Sequence, residues 1–428
     1  MFTETTIHPD SFLARVYSQE PLITTAGKEP LRQIPFLRWD SSSGRKVSTT
    51  ATLVSVDNGN DAFKGAMLHA HTPFLRTRRI VTAYAPAKKL GGTSEGITTW
   101  QVNDSEAFWI GEDALTMKAE SLPIGMTGDR LPDDRYRRYL FACLVELLLE
   151  AGYSTPSHEF QEEYDLYLSF GIPNEEVSRG GVNEAVRRAL TPLFNMIYTI
   201  RRTDERGGVT TWMLRLVELN PYPQTFGSFV TWYYTVDGTP VETDIVKHLT
   251  LDIGGGQFHQ CEVTLQHQLQ GKPKLRMATS QLDEGTIPIA RAVRDQLRAQ
   301  HPGIRLSDVE AQQVLVSRHA LIEGRRIPVD GIVSEVIEAR SQNLLMHLRH
   351  QLQEERSFLM FTGGGSVLLA SSLQELVRTS RRAQSFLFVP QELASVLNAI
   401  GGYILAQATA QKGVERAQGS SSSSRETP

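Results

Sequence analysis

The sequence is nearly without cysteine: Cys143 and Cys261 are the only two in 428 residues. One disulfide is arithmetically possible, but so low a count argues against a secreted disulfide scaffold and a Cys-based zinc site. No long hydrophobic run is present either. The most apolar stretch, residues 139–153, falls short of the roughly 20 residues that span a bilayer, and Glu146 and Glu150 interrupt it. The first residues show no basic region followed by an apolar core, so no signal peptide is expected. Charge of one sign is lacking too. Lys plus Arg number 44 against 48 for Asp plus Glu, a net charge of −4 that does not advertise direct nucleic-acid binding. The Walker A pattern is absent, which excludes a P-loop enzyme. A globular, cytoplasmic protein is expected, with neither a membrane nor nucleic acid as a direct partner.

What the sequence does have is 33 glycines, several in tight clusters. At roughly 100–200 residues per domain, its length calls for two or more. Residues 1–48 carry Pro9, Pro21, Pro30 and Pro35 and read as an irregular extension, ordered in part by the apolar run 34–37. Residues 413–428, with Gly419 followed by five serines, read as a disordered tail. Between these ends, strand patterns at 51–56, 63–70, 107–110, 165–170, 212–219, 246–253, 259–265, 358–361 and 386–389 alternate with helical ones. The clearest helix is 133–151, with Leu140, Leu144, Leu147 and Leu148 at helical spacing. Others run through Ile289, Val293 and Leu297, through Val333, Ile337 and Leu344, through Leu369 and Leu373, and through Leu397, Ile400 and Ile404. The fold class is therefore α/β.

Three glycine clusters each end a buried-looking strand. In the first, Val56-Asp57-Asn58-Gly59-Asn60, a strand delivers an aspartate into a turn and returns with Lys64. Asn58, Gly59 and Asn60 tolerate unusual φ, so their amides can turn inward around phosphate oxygens, with Lys64 adding a compact positive charge. The second, Asp252-Ile253-Gly254-Gly255-Gly256-Gln257, repeats this logic in the other half of the chain. Either one alone also reads as a plain hairpin. Together they point to a duplicated domain clamping one polyphosphate. Asp57 and Asp252, approaching from two sides, suit Mg²⁺, which takes few carboxylates and keeps several waters. The third, Thr362-Gly363-Gly364-Gly365, ends a strand and opens a helix. It reads as a nucleotide or anion site, or as a close packing corner.

These segments, in this order, resemble the actin/hexokinase/Hsp70 ATPase superfamily. Asp57, Gly59 and Lys64 match its first phosphate loop. Asp252, Gly254, Gly255 and Gly256 match the second, and Gly363, Gly364 and Gly365 the adenosine loop. Residues 220–227 are similar to the first connecting segment, in which Gln224 matches the residue that positions the attacking water. Residues 390–401 are similar to the second connecting segment. Residues 57–64, 109–114, 170–173 and Asp283-Glu284-Gly285-Thr286 look like ParM-type bacterial and archaeal actins. One departure stands out: the family continues its second loop with Thr or Ser and then an acid, where this chain has Gln257-Phe258-His259.

The resemblance implies two similar actin-like (ribonuclease H-like) domains with an interdomain nucleotide cleft. Domain I would span 49–245, with a final helix at 390–412 packing back on it, and domain II 246–389. ATP (or GTP) and magnesium are the implied ligands. The implied nucleotide contacts are Asn58, Gly59, Asn60, Lys64, Gly254, Gly255, Gly256, Gln257, Glu284, Gly285, Gly363, Gly364 and Gly365. Asp57 and Asp252 would hold magnesium through water, and with Gln224 they form the implied catalytic set. For ParM-like actins the expectation is an ATPase that polymerises head-to-tail and segregates plasmid DNA through a DNA-binding adaptor. A small-molecule kinase of the same superfamily and a low-turnover nucleotide-binding scaffold are the alternatives. Of the remaining features, Arg76, Arg78, Arg79, Lys88 and Lys89 form a basic run, either an interaction surface or a solvated loop. His69 and His71, two apart, would face one side of the expected strand, without further ligands at metal spacing. Trp232-Tyr233-Tyr234 reads as core or interface packing, and Cys143 as a buried small hydrophobe.

Overall fold

The computed structural model describes residues 31–40, 44–87, 96–117, 120, 122–123, 125–153, 163–178, 181–194, 196–235, 238, 240–241, 243, 245–266, 274–282, 285–348, 357–379 and 385–422. The chain divides at 241/242 and 395/396. Of the described residues, those between these boundaries form one unit, and those before and after them form the other.

Among its described residues the larger unit holds twelve strands: β1 (Gln33–Asp40), β2 (Arg45–Asn58), β3 (Ala62–Leu68), β4 (Leu75–Val81), β5 (Tyr84–Pro86), β6 (Thr99–Val102), β7 (Phe108–Ile110), β8 (Glu163–Ile172), β9 (Val177–Ser178), β10 (Gly181–Val182), β11 (Ile197–Thr203) and β12 (Val209–Pro223). Its main sheet runs β4-β3-β2-β8-β12-β11-β6-β7-β5, with β1 antiparallel to the start of β2. The smaller unit holds β13 (Lys247–Ile253), β14 (Phe258–Gln266), β15 (Lys274–Leu282), β16 (His319–Ile322), β17 (Arg325–Pro328), β18 (Ser357–Thr362) and β19 (Ser385–Phe388), with a main sheet ordered β15-β14-β13-β18-β19.

The two sheets share one plan. In each, an antiparallel meander (β2-β3-β4, β13-β14-β15) is continued from its first strand by two parallel strands (β8-β12, β18-β19). The first meander strand is thus central in both units, as the sequence-level duplication predicts. Fully buried runs such as Ala62–Leu68 and Ser357–Thr362 are what sheets covered on both faces require.

The helices are α1 (Gly111–Thr116), α2 (Thr127–Arg130), α3 (Asp134–Glu150), α4 (Glu184–Leu190), α5 (Gln224–Tyr233), α6 (Thr286–Gln300), α7 (Asp308–Ser317), α8 (Asp330–Leu348), α9 (Gly364–Thr379), α10 (Gln391–Ala394) and α11 (Leu397–Ser422). Helix α3 starts where the Asp133 carboxylate accepts from the Arg135 and Tyr136 amides. It buries Leu140, Phe141, Leu144, Leu147 and Leu148 against Val54, Val56, Leu166, Leu168 and Trp212. In the smaller unit, Ile289, Val293, Leu297, Val333 and Ile337 close over Leu249, Leu251, Leu359 and Phe361. Among the described residues no helix is long and apolar enough to cross a membrane.

Two boundaries differ from the sequence reading. Part of the stretch read as an irregular extension is strand: β1 pairs with β2 from Asp40↔Arg45 to Gln33↔Thr52, and Ile34 is buried. The β-branched residues Val47, Thr49 and Thr50 favour this extended pairing. At the other end, α11 is described to Ser422, ten residues beyond the boundary drawn at 412. Ala, Gln, Lys, Glu and Arg between 408 and 418 are strong helix formers. Lys88, Lys89, Asp283 and Glu284 lie outside the described residues.

Helices α5 and α11 cross backbone to backbone. A Cβ on Gly401 would overlap the Gly227 carbonyl, and one on Gly227 would overlap the Asn398 carbonyl. Around this contact Asn398 Oδ1 accepts from Ser228 N (2.9 Å) and Ser228 Oγ (2.7 Å), and Thr231 Oγ1 donates to Leu397 O (2.8 Å). Trp232 and Tyr233 on α5 are buried, which makes them core. Gly401→Ala should therefore destabilise by about 3 kcal/mol or more, since backbone has to yield. The same substitution at Gly331, in the first turn of α8 with nothing within 4 Å, should be neutral or stabilise by up to about 1 kcal/mol. Urea unfolding of the two variants checks the opposite signs; equal midpoints would refute the crossing.

Candidate functional site

Strand β2 carries Asp57 and Asn58 to its C-terminal end, the chain turns through Gly59, Asn60 and Asp61, and β3 brings Lys64 back opposite Asp57. All three of Asp57, Asn58 and Lys64 are buried. Lys64 Nζ lies 3.0 Å from Asp61 Oδ1 and 3.9 Å from Asp57 Oδ2. It also sits over the turn, because a Cβ on Gly59 would come within 2.6 Å of it. Asp61 bonds Arg79 Nη2 as well, at 3.4 Å. Burial raises the Asp61 pKa, but the Lys64 ammonium and Arg79 guanidinium outweigh it and bring it down to about 2.

The carbonyls of this turn are held from behind. Asn58 O accepts from Arg130 Nη2 (2.7 Å) and from Gln224 Nε2 (3.1 Å), and Gly59 O accepts from Arg130 Nη1 (2.9 Å). Asn60 Oδ1 accepts from Gly125 N (2.7 Å), and the Tyr136 hydroxyl bonds Asn58 Oδ1. A trans peptide places N–H opposite C=O. Fixing the Asn58 and Gly59 carbonyls on the Arg130 side therefore turns the Gly59 and Asn60 amides the other way, as a backbone anion cradle requires.

In the smaller unit Asp252 is buried near the end of β13, two residues before the turn Gly254–Gln257 begins. Gly254 N closes this turn on Gln257 O at 2.9 Å. Here a helix start holds the carbonyls: Thr286 N donates to Gly254 O (3.0 Å) and Ile287 N to Gly255 O (2.7 Å). Gly285 makes the approach possible, since a Cβ there would stand 2.5 Å from Gly255 O and Gln257 N. The third loop lies beside the second. Gly363, at φ +84°, packs so closely that a Cβ would overlap Asp252 Oδ1. Its carbonyl accepts from Ser366 Oγ (2.8 Å) and Ser366 N (3.1 Å), with Gly364 exposed beyond it.

The structure thus gathers Asp57, Asn58, Gly59, Asn60, Lys64 and Gln224 in one unit. Asp252, Gly254, Gly255, Gly256, Gln257, Gly285, Gly363, Gly364 and Gly365 gather in the other. Glu284 lies outside the described residues. Sequence reasoning missed Asp61, Arg130 and Tyr136. Asp61 had a signal, its position three residues before Lys64. Arg130 had none, standing 71 and 72 residues from its partners. The arginines expected as a basic surface are partly engaged within the fold: Arg78 pairs with Glu146 (3.2 Å) and Glu150 (3.6 Å), Arg79 with Asp61. Among the described residues no group of three or more His, Cys, Asp or Glu gathers around a metal-sized space.

The Asp61 pairing gives a pH signature. Its folded pKa lies below the ordinary 3.8, so the stability it contributes is present above that value and fades as pH falls toward about 2. Asp61→Asn should cost about 1–2 kcal/mol at neutral pH, with the gap to wild type narrowing below pH ~4. Denaturant titrations from pH 7 to 3 check this; a constant gap would remove Asp61 from the network.

Comparison with protein-family models gives no match, and comparison with curated proteins gives none. Comparison with solved structures does. An archaeal actin homologue, Ta0583, superimposes with a TM-score of 0.59 at 18% identity over 83% of this chain and 99% of its own. The same homologue in complex with ADP matches at 0.58 and 16% identity, over 83% and 99%. ParM from Clostridium botulinum, in a 15-stranded filament, matches at 0.62 and 14% identity over 83% and 99%. The chain has the actin-like fold.

Proposed function

We propose that the chain is a cytoplasmic ParM-like actin homologue. It binds ATP (or GTP) with magnesium, hydrolyses it and polymerises head-to-tail into nucleotide-dependent filaments that segregate plasmid DNA through a DNA-binding adaptor. One observation carries the reading. The same five-strand plan occurs twice, and each copy ends its central strand in a buried aspartate followed by a glycine turn whose carbonyls are held back. Such duplicated anion cradles suit one polyphosphate better than two unrelated ligands. The ADP complex of the archaeal homologue and the ParM filament lend support from the same fold.

In this reading the amides after Asn58, Gly59, Gly254 and Gly255 contact phosphate oxygens. Lys64 leaves Asp61 to meet them, and the Gly363–Gly365 turn faces the nucleoside. Asp57 and Asp252, buried beside their glycine turns, fit water-mediated contact to Mg²⁺. Bound magnesium supplies positive charge to the phosphates. Gln224 spends Nε2 on the Asn58 carbonyl, so water orientation falls to its Oε1. Catalysis is then positioning and charge stabilisation rather than covalent chemistry. A head-to-tail contact that does not close on itself generates a filament. A low-turnover scaffold is the second reading, favoured by one observation: His259 pairs across the strands with Asp252, where an acid follows the loop in the family pattern.

Pelleting and light scattering with ATP–Mg²⁺, GTP–Mg²⁺ and no nucleotide test the proposal. Assembly should require nucleotide, and Asp57→Ala should lower phosphate release by about 100-fold or more. A chain that stays monomeric at tens of micromolar with either nucleotide would overturn the filament. Undiminished hydrolysis in Asp57→Ala would overturn the site.

A further inference from the structure

Arg130, in the larger unit, is a buried arginine at the C-terminal end of α2. It is 1% exposed. Its Nη1 and Nη2 are spent on the Gly59 and Asn58 carbonyls, and Nη1 also reaches the Tyr136 hydroxyl at 3.4 Å. Its Cζ stands 5.4 Å from the centre of the Tyr136 ring, and its Nε has no hydrogen-bond partner. Among the described residues no carboxylate lies within ion-pair distance of it. Asp57 and Asp61 face Lys64 and Arg79. Glu176, the buried carboxylate at the start of α2, accepts from the Thr127 and Gly128 amides instead. A buried cation without a counter-ion is costly to the fold. Carbonyl dipoles offset part of that cost, and an anion arriving at the loop would offset more.

We propose that Arg130 is the positioning residue of the first glycine loop, setting the affinity of that loop for a polyphosphate. The inference rests on the nucleotide reading above. Two features of the guanidinium act together. Its planar fork clamps two successive carbonyls, and peptide planarity then aims the Gly59 and Asn60 amides away from it. Its charge, left over once Lys64 and Arg79 are matched by Asp57 and Asp61, makes the loop attractive to anions. Arg130 does not touch the ligand in this account. It acts through the peptide groups it holds.

A purely structural arginine would leave selectivity among ligands unchanged. The test is therefore calorimetric binding of ATP, ADP and adenosine to wild type, Arg130→Lys, Arg130→Met and Tyr136→Phe, each checked for native circular dichroism. Affinity for ATP and ADP should fall about 10- to 100-fold in both Arg130 variants, while adenosine binding stays within about twofold. Lysine keeps the charge but loses the fork, so Arg130→Lys should recover only part of the loss. Tyr136→Phe removes one support of the guanidinium at constant volume and should shift the phosphate-bearing ligands by a few-fold in the same direction. It carries the test if the Arg130 variants do not fold. Wild type that binds none of the three ligands would overturn the nucleotide reading and this inference with it. Wild type that binds, with variants that weaken all three ligands equally or none, would overturn the inference alone.

Discussion

Everything at the candidate site depends on where a few carbonyl oxygens point. A trans peptide cannot aim its N–H without aiming its C=O the opposite way. A loop that is to offer amides must find donors for its carbonyls on the far side. The first loop finds Arg130 and Gln224, the second the opening amides of α6, and the third Ser366. Glycine makes these turns possible, but donors behind them make them specific.

Packing far from the loops controls those donors. Gln224 opens α5, and one turn later Gly227 meets Gly401 of α11 with no side chain between. Asn398 ties the two helices at the same level, and Tyr222, just before α5, donates to the Asn398 carbonyl at 2.9 Å. The position of Gln224 relative to Asn58 O is therefore set by a close helix crossing and not by the loop. On the other side, Glu176 anchors the α2 start and Asn60 anchors Gly125, which together hold the segment that carries Arg130. Two separate stretches of chain, at Arg130 and at Gln224, thus converge on two successive carbonyls.

The sequence made the strands and the glycine turns legible, because both signals are local. A buried strand ending in Asp-x-Gly can be read from five residues, and its recurrence revealed the duplication that the shared five-strand order bears out. Helix α3 was legible for the same reason, its leucines repeating at helical spacing. β1 was hidden because its evidence is a partner: Gln33–Asp40 reads as coil until it is seen against β2. The hairpin of β16 and β17 and the meander strand β15 were hidden in the same way. Arg130 is the extreme case. Nothing near it in the sequence marks it as part of the loop, and only folding brings it to residues 71 and 72 positions earlier.

The two units solve the same backbone problem differently, and the chain path explains why. After β15 the chain enters α6 almost at once, so a helix N-terminus arrives beside the second loop ready to donate. After β4 the described residues enter short strands instead, and the donors to the Asn58 and Gly59 carbonyls are the side chains of Arg130 and Gln224. A guanidinium substitutes. The substitution is not neutral, since a helix terminus carries about half a unit charge spread over several amides, while arginine brings a whole charge in a rigid fork. Lys64 is already matched by Asp61 and Asp57, so the surplus charge at the first loop comes from Arg130. The shared five-strand plan therefore carries its two loops on different donors, a charged fork at the first and helix-start amides at the second.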